Sequence, residues 1–195
     1  MSWLAVTVTT APTALPVSVG DMRERLRVDH YEEDGVIARM IAGAVARIDG
    51  PRGIGIAMME QTWRWSLDRF PREFCLPGWP VSEVVSIKYD DPDGTEQTVS
   101  ASNYRVDLNR HPVRVRPVAG YAWPAPLDAA GTVRVEYKLG VTSPDDVPAD
   151  LVDAVAMLAA ERYDQREAAS EGARTPAPYG VEMILAEYRQ SFAGG

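Results

Sequence analysis

The sequence predicts an α+β fold, in which N- and C-terminal helices pack together as a helical bundle and an antiparallel β module is inserted between them. Apolar residues recur at helical spacing near both ends of the 195 residues, whereas polar and apolar side chains alternate through the middle. We therefore expect an extended N-terminal arm over residues 1–16, a helical core from 17–55 and 146–195, and the β module over 56–145. The single cysteine excludes an intrachain disulfide, so packing or assembly must stabilise the fold.

The composition excludes some classes of protein. Hydrophobic residues make up 46% of the chain and charged residues 25%, which is ordinary for a globular protein with a buried core. The net charge of −8 argues against a general nucleic-acid coat, because such a protein needs a broad cationic face. The N-terminus has no basic region and is interrupted by prolines, so it predicts neither a signal peptide nor a membrane span, and we expect a cytoplasmic protein.

Two helices are predicted near the N-terminus. Ser18 and Asp21 have the spacing of a capping signal for a short first helix. Asp29 and Glu32 repeat that spacing and predict the start of a second helix, which Gly50 ends. The apolar positions of this second helix are Ile37, Met40, Ile41, Ala44, Val45 and Ile48.

The middle of the chain predicts short strands. Trp63, Trp65 and Leu67 lie on one side of a half-buried strand. The prolines that follow within "FPREFCLPGWP" exclude a helix and predict a stiff corner. On the next strand, Val85, Ile87 and Tyr89 are expected to alternate with Val84, Ser86 and Lys88 before the turn "DDPDG". Further strands are predicted over Tyr104–Leu108, Val113–Val118 and Thr132–Lys138.

Helical spacing returns in the last third of the chain. Pro148 suits the first position of a long helix. Its apolar face is formed by Leu151, Ala154, Val155, Leu158 and Ala159. A last short helix has its apolar stripe at Val181, Ile184, Leu185 and Tyr188.

Cys75 is the one candidate nucleophile. Two histidines, His30 and His111, are the possible bases, but neither lies in a recognisable cysteine-hydrolase signature. We therefore interpret Cys75 as a packing residue. No nucleophile, base and oxyanion donor can be assigned together, so the sequence predicts no catalytic residue and the protein is not expected to be an enzyme.

Two segments resemble ligand-binding loops and fail in detail. In "DDPDGTE", aligning Gly94 with the glycine of a calcium loop places Tyr89 and Ser100 at the first and last ligand positions. In "GPRGIGIAM", Met58 occupies the third glycine position of a dinucleotide fingerprint, and the segment follows a helix. We expect a hairpin turn and a helix end at these places, with no metal and no cofactor.

A local excess of positive charge occurs in "YRVDLNRHPVRVRPV". Arg105, Arg110, Arg114 and Arg116 have only Asp107 nearby as a countercharge. The alternation predicts that the last two arginines share one face of a strand. This face is either a solvated strand surface or an electrostatic contact to phosphates or to an acidic neighbouring subunit.

Two tryptophans lie in predicted loops, each directly before a proline. Trp79 and Trp123 are candidate interface residues, because aromatic side chains in loops often anchor protein contacts. Alternatively, they cap the open end of the sheet.

The order and spacing of several segments resemble the head–tail connector (adaptor) family of tailed bacteriophages, which has relatives in prophage-derived gene transfer agents. These segments are "LRVDHYEEDGVIARMIAGAVARI", "QTWRWSLDRFP", "LPGWPVSEVVSIKYDDPDG", "YRVD", "VRVEYKLGV", "VPADLVDAVAMLAAERYDQRE" and "LAEYR". The chain departs from the family pattern at "DGPRGIGIAMME", where a continuing helix is expected.

The resemblance implies a non-enzymatic ring, commonly of twelve subunits, in the neck of a virion or phage-like particle that is assembled in the bacterial cytoplasm. Such a ring lies beneath the portal protein, joins stopper and tail proteins, and lets DNA pass through its lumen without sequence-specific binding. The resemblance also implies that the C-terminal segment contacts the portal, and the arginines then face a neighbouring subunit or the DNA lumen. The candidate portal contacts are Tyr188, Arg189, Gln190, Ser191 and Phe192.

Two alternatives remain open. Another neck ring, such as a stopper or tail terminator, is expected to be mainly β, whereas this sequence predicts helices at both ends. A DNA-binding module would use the first two helices as a helix-turn-helix, but Glu32, Glu33 and Asp34 at the start of the second helix would repel phosphates.

Overall fold

The computed structural model describes residues 5–165 and 179–190, and within them it confirms the α+β fold class. The helices are α1 (Val19–Leu26), α2 (Asp34–Ile48), α3 (Ala149–Gln165) and α4 (Tyr179–Gln190). The strands are β1 (Val6–Thr10), β2 (Gln61–Leu67), β3 (Phe74–Cys75), β4 (Val81–Asp90), β5 (Glu96–Thr98), β6 (Tyr104–Asp107), β7 (Arg114–Pro117) and β8 (Val133–Leu139).

The strands form two sheets. The larger sheet has the order β1-β2-β8-β4-β5, the smaller has the order β3-β7-β6, and every pairing is antiparallel. β1 lies at the edge of the larger sheet, where Val6 is opposite Trp65. Residues 6–10 of the predicted arm are therefore extended, as expected, and belong to the sheet.

The apolar side chains form two clusters. The first joins α1, α2, α3 and α4, and the fully buried Ile41 and Leu151 belong to it. The second fills the space between the two sheets, where Trp63, Tyr137 and Val115 are fully buried. Both predicted helical faces are confirmed, since Ile37, Ile41, Ala44 and Ile48 of α2 and the five apolar positions of α3 are buried. The expected boundaries between the domains stay a prediction.

The first predicted helix start is confirmed and the second is wrong. Ser18 caps α1, because its Oγ accepts a hydrogen bond from the Asp21 backbone N–H at 3.1 Å. α2 begins only at Asp34, and Glu33 precedes it without a side-chain cap. The residues between the helices form a turn that begins at Arg27, whose φ of 56° closes α1. Asp29 and Glu32 therefore lie outside the helix.

The predicted alternation, which places Val85 and Ile87 on the same face of β4, is also wrong at Val85. Its side chain is 47% exposed, whereas Ile87 is fully buried. The pairing of β4 with β8 is interrupted by irregularities between Val81 and Glu83 and between Val84 and Ser86. Each extra residue reverses the alternation of side chains, so a strict two-residue period fails in the first half of β4.

The segment "CLPGWP" forms the corner between the two sheets. The Leu76 N–H donates to the Val113 carbonyl at 2.8 Å, and the buried Tyr137 hydroxyl donates to the Pro77 carbonyl at 2.8 Å. The Pro80 carbonyl accepts from the Gly140 N–H at 2.9 Å. The corner is thus fixed to β7, β8 and the chain after β8.

Candidate functional site

The outer side of the smaller sheet carries three arginines, Arg105, Arg114 and Arg116, which we call the arginine face. Arg105 lies directly opposite Arg116 across β6 and β7, and Asp107 lies opposite Arg114. The intervening Val115 is fully buried, as the predicted alternation requires. The three arginines line a surface cavity of about 250 Å³ together with Val106 and Asp107.

The positive charge of the arginine face is only partly compensated. An Arg114 Nη1 atom is 3.6 Å from a Glu73 carboxylate oxygen, while the Arg114 Nε–H is shielded from solvent and has no acceptor among the described residues. Arg105 and Arg116 are exposed, and neither forms an ion pair within residues 5–165 and 179–190. Like charges directly opposite each other destabilise an antiparallel pair, so the fold alone does not account for this arrangement.

The larger sheet shows the usual arrangement of charges. Arg134 donates to both Asp90 and Glu96, and its Nη1 is 2.8 Å from Asp90 Oδ2. The Arg134 guanidinium holds the pKa of Asp90 below its usual range. Lys88 and Glu96 add a contact of 2.8 Å. In this cluster each cation has a carboxylate, in contrast to the arginine face.

The fourth candidate arginine lies apart from this face. Arg110 is exposed in the turn between β6 and β7, next to His111. The His111 ring packs edge-on against Trp79, with 6.5 Å between the ring centroids. The structure therefore brings together three of the four predicted arginines.

Both candidate interface tryptophans are half-buried within the chain. Trp79 packs on the helical cluster, and its ring centroid lies 6.2 Å from that of Tyr188. Trp123 stacks on Phe70 with 4.9 Å between centroids and an angle of 5°, and its Nε1–H donates to the Arg72 carbonyl at 3.3 Å. Trp123 therefore packs on the cluster between the sheets, whereas Trp79 packs on the helical cluster, and a role of either residue in an interface stays a prediction.

The candidate portal contacts at the C-terminus are partly engaged in α4. The Tyr188 hydroxyl lies 2.7 Å from Asp150 Oδ1, and burial together with this carboxylate raises the pKa of Tyr188. Arg189 Nη1 donates to Glu182 at 3.1 Å. Ser191, Phe192 and the side chain of Gln190 lie outside the described residues. Portal binding by this segment stays a prediction.

The nucleophile candidate lies on a strand, and the acidic ligand candidates lie in a turn. Cys75 is half-buried on β3, directly opposite Arg114, while its neighbour Phe74 points into the core. The Asp91 carboxylate accepts from the backbone N–H groups of Asp93 and Thr95, and these bonds lower its pKa. "DDPDG" is thus a self-stabilised turn, as predicted. The described ranges contain no group of three or more potential metal ligands and no helix long and apolar enough to cross a bilayer.

Sequence reasoning missed a buried polar network between α2 and β2. The Asp49 carboxylate accepts hydrogen bonds from the Met58 N–H and from Gln61 Nε2, both at 2.9 Å. Gln61 Oε1 in turn accepts from Trp63 Nε1 at 2.8 Å. Burial raises the pKa of Asp49. The sequence gives no spacing signal for this contact, because it depends on how the turn after α2 folds back.

Several chains of known structure are similar to this one. Neither a protein-family model nor a curated protein matches the sequence. A chain from the neck of an empty GTA particle, computed with C6 symmetry, is 26% identical, with 94% of both chains covered and a TM-score of 0.74. A chain from the virion of a native gene transfer agent (GTA) particle is 24% identical, with the same coverage and a TM-score of 0.76. A chain from the neck of a native GTA particle, computed with C12 symmetry, is 24% identical, also with 94% of both chains covered and a TM-score of 0.68. The chain therefore shares its fold with particle components over nearly its whole length.

Proposed function

We propose that this chain is a structural subunit of the neck of a gene transfer agent or phage-like particle, and that it acts as the head–tail connector (adaptor). The observation that carries the proposal is the 26% identity, over 94% of both chains, to a chain from the neck of an empty GTA particle. The presence of helices at both ends of the chain favours an adaptor over a stopper or tail terminator, which we expect to be mainly β.

The proposed role is non-enzymatic, and the buried polar groups support it. The carboxylate of Asp49 and the hydroxyls of Tyr137 and Tyr188 are each hydrogen-bonded to another part of the same chain. Their pKa values are raised chiefly by burial within the fold, whereas catalytic groups with shifted pKa values face a substrate. A subunit that functions through its shape needs hydrogen bonds of this kind to hold the parts of the chain in place.

In the proposed assembly, twelve copies form a ring beneath the portal, and the side away from the portal meets stopper or tail proteins. The six-fold symmetry used for the similar neck supports a ring of six subunits or a multiple of six. DNA passes through the lumen without sequence-specific binding. The net charge of −8 supports this passage, since few cations are available to hold phosphates.

The location is tested by deleting the gene in cells that produce particles and restoring it with a tagged copy. We expect filled heads without tails in the deletion, and the tag at the neck of complemented particles by immunogold labelling. Complete particles from the deletion strain, or a tag absent from the neck, would contradict the proposal.

The portal contact is tested separately with a truncation that removes residues 191–195 and keeps the bond between Tyr188 and Asp150. We expect the truncated chain to fold with an unchanged unfolding midpoint and to lose binding to the portal. Wild-type portal binding by this variant would exclude residues 191–195 from the portal contact, and it would not contradict the neck location.

A further inference from the structure

The arginine face is built to receive an anion that the described part of the chain does not supply. Arg105 and Arg116 are exposed and directly opposite each other, and the Arg114 Nε–H lacks an acceptor among the described residues. A guanidinium presents its N–H groups in a planar fork that matches a carboxylate or a phosphate. Two or more oxyanions on an opposing surface would relieve the repulsion between the paired arginines.

The chain itself carries a matching surface of opposite charge. Between Lys138 and Arg162 the sequence has five acidic residues and no Lys, Arg or His. Three of these acids are engaged, because Asp150 accepts from Tyr188, Asp153 lies 3.3 Å from Arg25, and Glu161 accepts from Gln165. Asp145 and Asp146 are exposed on a turn of 3-10 helix just before α3, and we call this pair the acidic turn.

The carboxylates of the acidic turn are free to bind a partner. Among the described residues neither forms an ion pair, although ten other carboxylate–cation contacts occur there. Ser143 caps this turn through the backbone N–H of Asp145, so the side chain of Asp145 is not used in the cap. The nearby start of α3 favours negative charge, which explains why two adjacent acids are tolerated.

We propose that the arginine face of one copy binds the acidic turn of a second copy, in a contact that repeats from subunit to subunit and rests on the proposed ring assembly. Two different surfaces that meet head to tail generate a closed ring when the rotation between copies closes. A second copy is favoured over DNA because the net charge of −8 repels phosphates, whereas the chain supplies both surfaces in equal number.

The test reverses each surface and then mixes the variants. One variant carries Arg105→Glu and Arg116→Glu, the other carries Asp145→Arg and Asp146→Arg, and Arg110→Glu is the matched control off the face. Self-association of the full chain is measured by sedimentation velocity and native mass spectrometry at low and high salt. We expect the wild type to associate more weakly in high salt, and each double reversal to weaken association by at least about tenfold.

The mixture of the two reversed variants is the decisive sample. In an assembly that alternates the two variants, the glutamate face of the first variant meets the arginine turn of the second, and the native arginine face of the second meets the native acidic turn of the first. Every interface then joins opposite charges, so we expect association to be restored. If the double glutamate variant does not fold by circular dichroism, Arg105→Gln with Arg116→Gln replaces it, and weakened association is again expected.

Several outcomes overturn the inference. These are a wild type that stays monomeric at every concentration, reversals that leave association unchanged, and a mixture that fails to restore it. Arginine-dependent binding to duplex DNA by the wild type would assign the face to nucleic acid instead. A chain that is found in the particle neck but fails these tests would retain the proposed function without this contact.

Discussion

The Tyr137 hydroxyl offers a sharp test of how the corner "CLPGWP" is held. Tyr137 is fully buried on β8, and its hydroxyl donates to the carbonyl of the buried Pro77 at 2.8 Å. Tyr137→Phe removes this hydrogen bond, keeps the aromatic ring and leaves the Pro77 carbonyl without its donor. We expect the free energy of unfolding to fall by about 1.5 kcal/mol, because a buried acceptor loses its partner. For a chain of this length the melting temperature should fall by about 3–6 °C.

The matched control is Tyr104→Phe. Tyr104 is half-buried at the start of β6, and its hydroxyl forms no hydrogen bond with another described residue. Its removal should change the free energy of unfolding by less than about 0.5 kcal/mol. Urea unfolding followed by tryptophan fluorescence measures both variants. Equal stabilities of the two variants would refute the idea that this hydroxyl fixes the corner.

The same residue predicts a dependence of stability on alkaline pH. Burial raises the pKa of Tyr137 above its usual range, so the folded state retains the phenolic proton after the unfolded state has lost it. The contribution of Tyr137 to the free energy of unfolding is fully present below about pH 10, and it falls by about 1.4 kcal/mol per pH unit above that pH. Phenylalanine cannot titrate, so the difference between wild type and Tyr137→Phe should shrink as the pH rises beyond 10. A difference independent of pH would contradict this account.

Substitutions at Gly140 and Ser18 test the geometry of a turn and of a helix cap, and urea unfolding again measures their effect. Gly140→Ala should lower the free energy of unfolding by more than about 2 kcal/mol, since φ is +95° and the new Cβ would clash with the Met59 carbonyl oxygen. At Gly120 the φ is similar but the space around it is open, so Gly120→Ala should lower the free energy of unfolding by only about 1 kcal/mol. Equal losses for Gly140→Ala and Gly120→Ala would argue against the clash. Ser18→Ala should lower the free energy of unfolding by about 1 kcal/mol and Ser18→Gly by only a few tenths, because glycine is a tolerated N-cap. An unchanged free energy of unfolding in both variants would show that the Ser18 cap does not stabilise α1.

The sequence predicts the helices and most strands well, because their signals are local. The faces of α2 and α3 follow from the 3.6-residue period, and Trp63 and Val115 follow from alternation. Val85 fails because an irregular pairing between β4 and β8 depends on the partner strand, which a local period cannot reveal. Asp29 does not cap α2, because the residues that follow α1 form a turn and α2 begins only at Asp34.

The candidate site shows the same division between local and non-local information. The alternation predicts that Arg114 and Arg116 share a face, and the structure places them so. It cannot predict that Arg105 lies opposite Arg116, because that contact is set by the register of β6 on β7. Nor can it predict that Arg110 lies apart from the other three arginines, because the alternation does not fix, to within a few residues, where a strand ends and its turn begins. The arginine face is therefore a product of register as much as of composition.

The two apolar clusters are joined by polar and backbone contacts, and this arrangement bears on the proposed role. Asp49 at the end of α2 holds Gln61 at the start of β2, and the Val141 carbonyl accepts from the Glu60 N–H at 2.8 Å. The first contact joins the end of α2 to the larger sheet, and the second joins the residue before β2 to the chain after β8. Because the Asp49 carboxylate is partly buried and accepts two hydrogen bonds, a rotation of the larger sheet relative to the helices would leave polar groups without partners. The orientation of the larger sheet relative to the helices is therefore fixed, and the corner "CLPGWP" connects that sheet to the smaller sheet that carries the arginine face. A subunit needs such fixed connections if its contacts are to set the geometry of a ring.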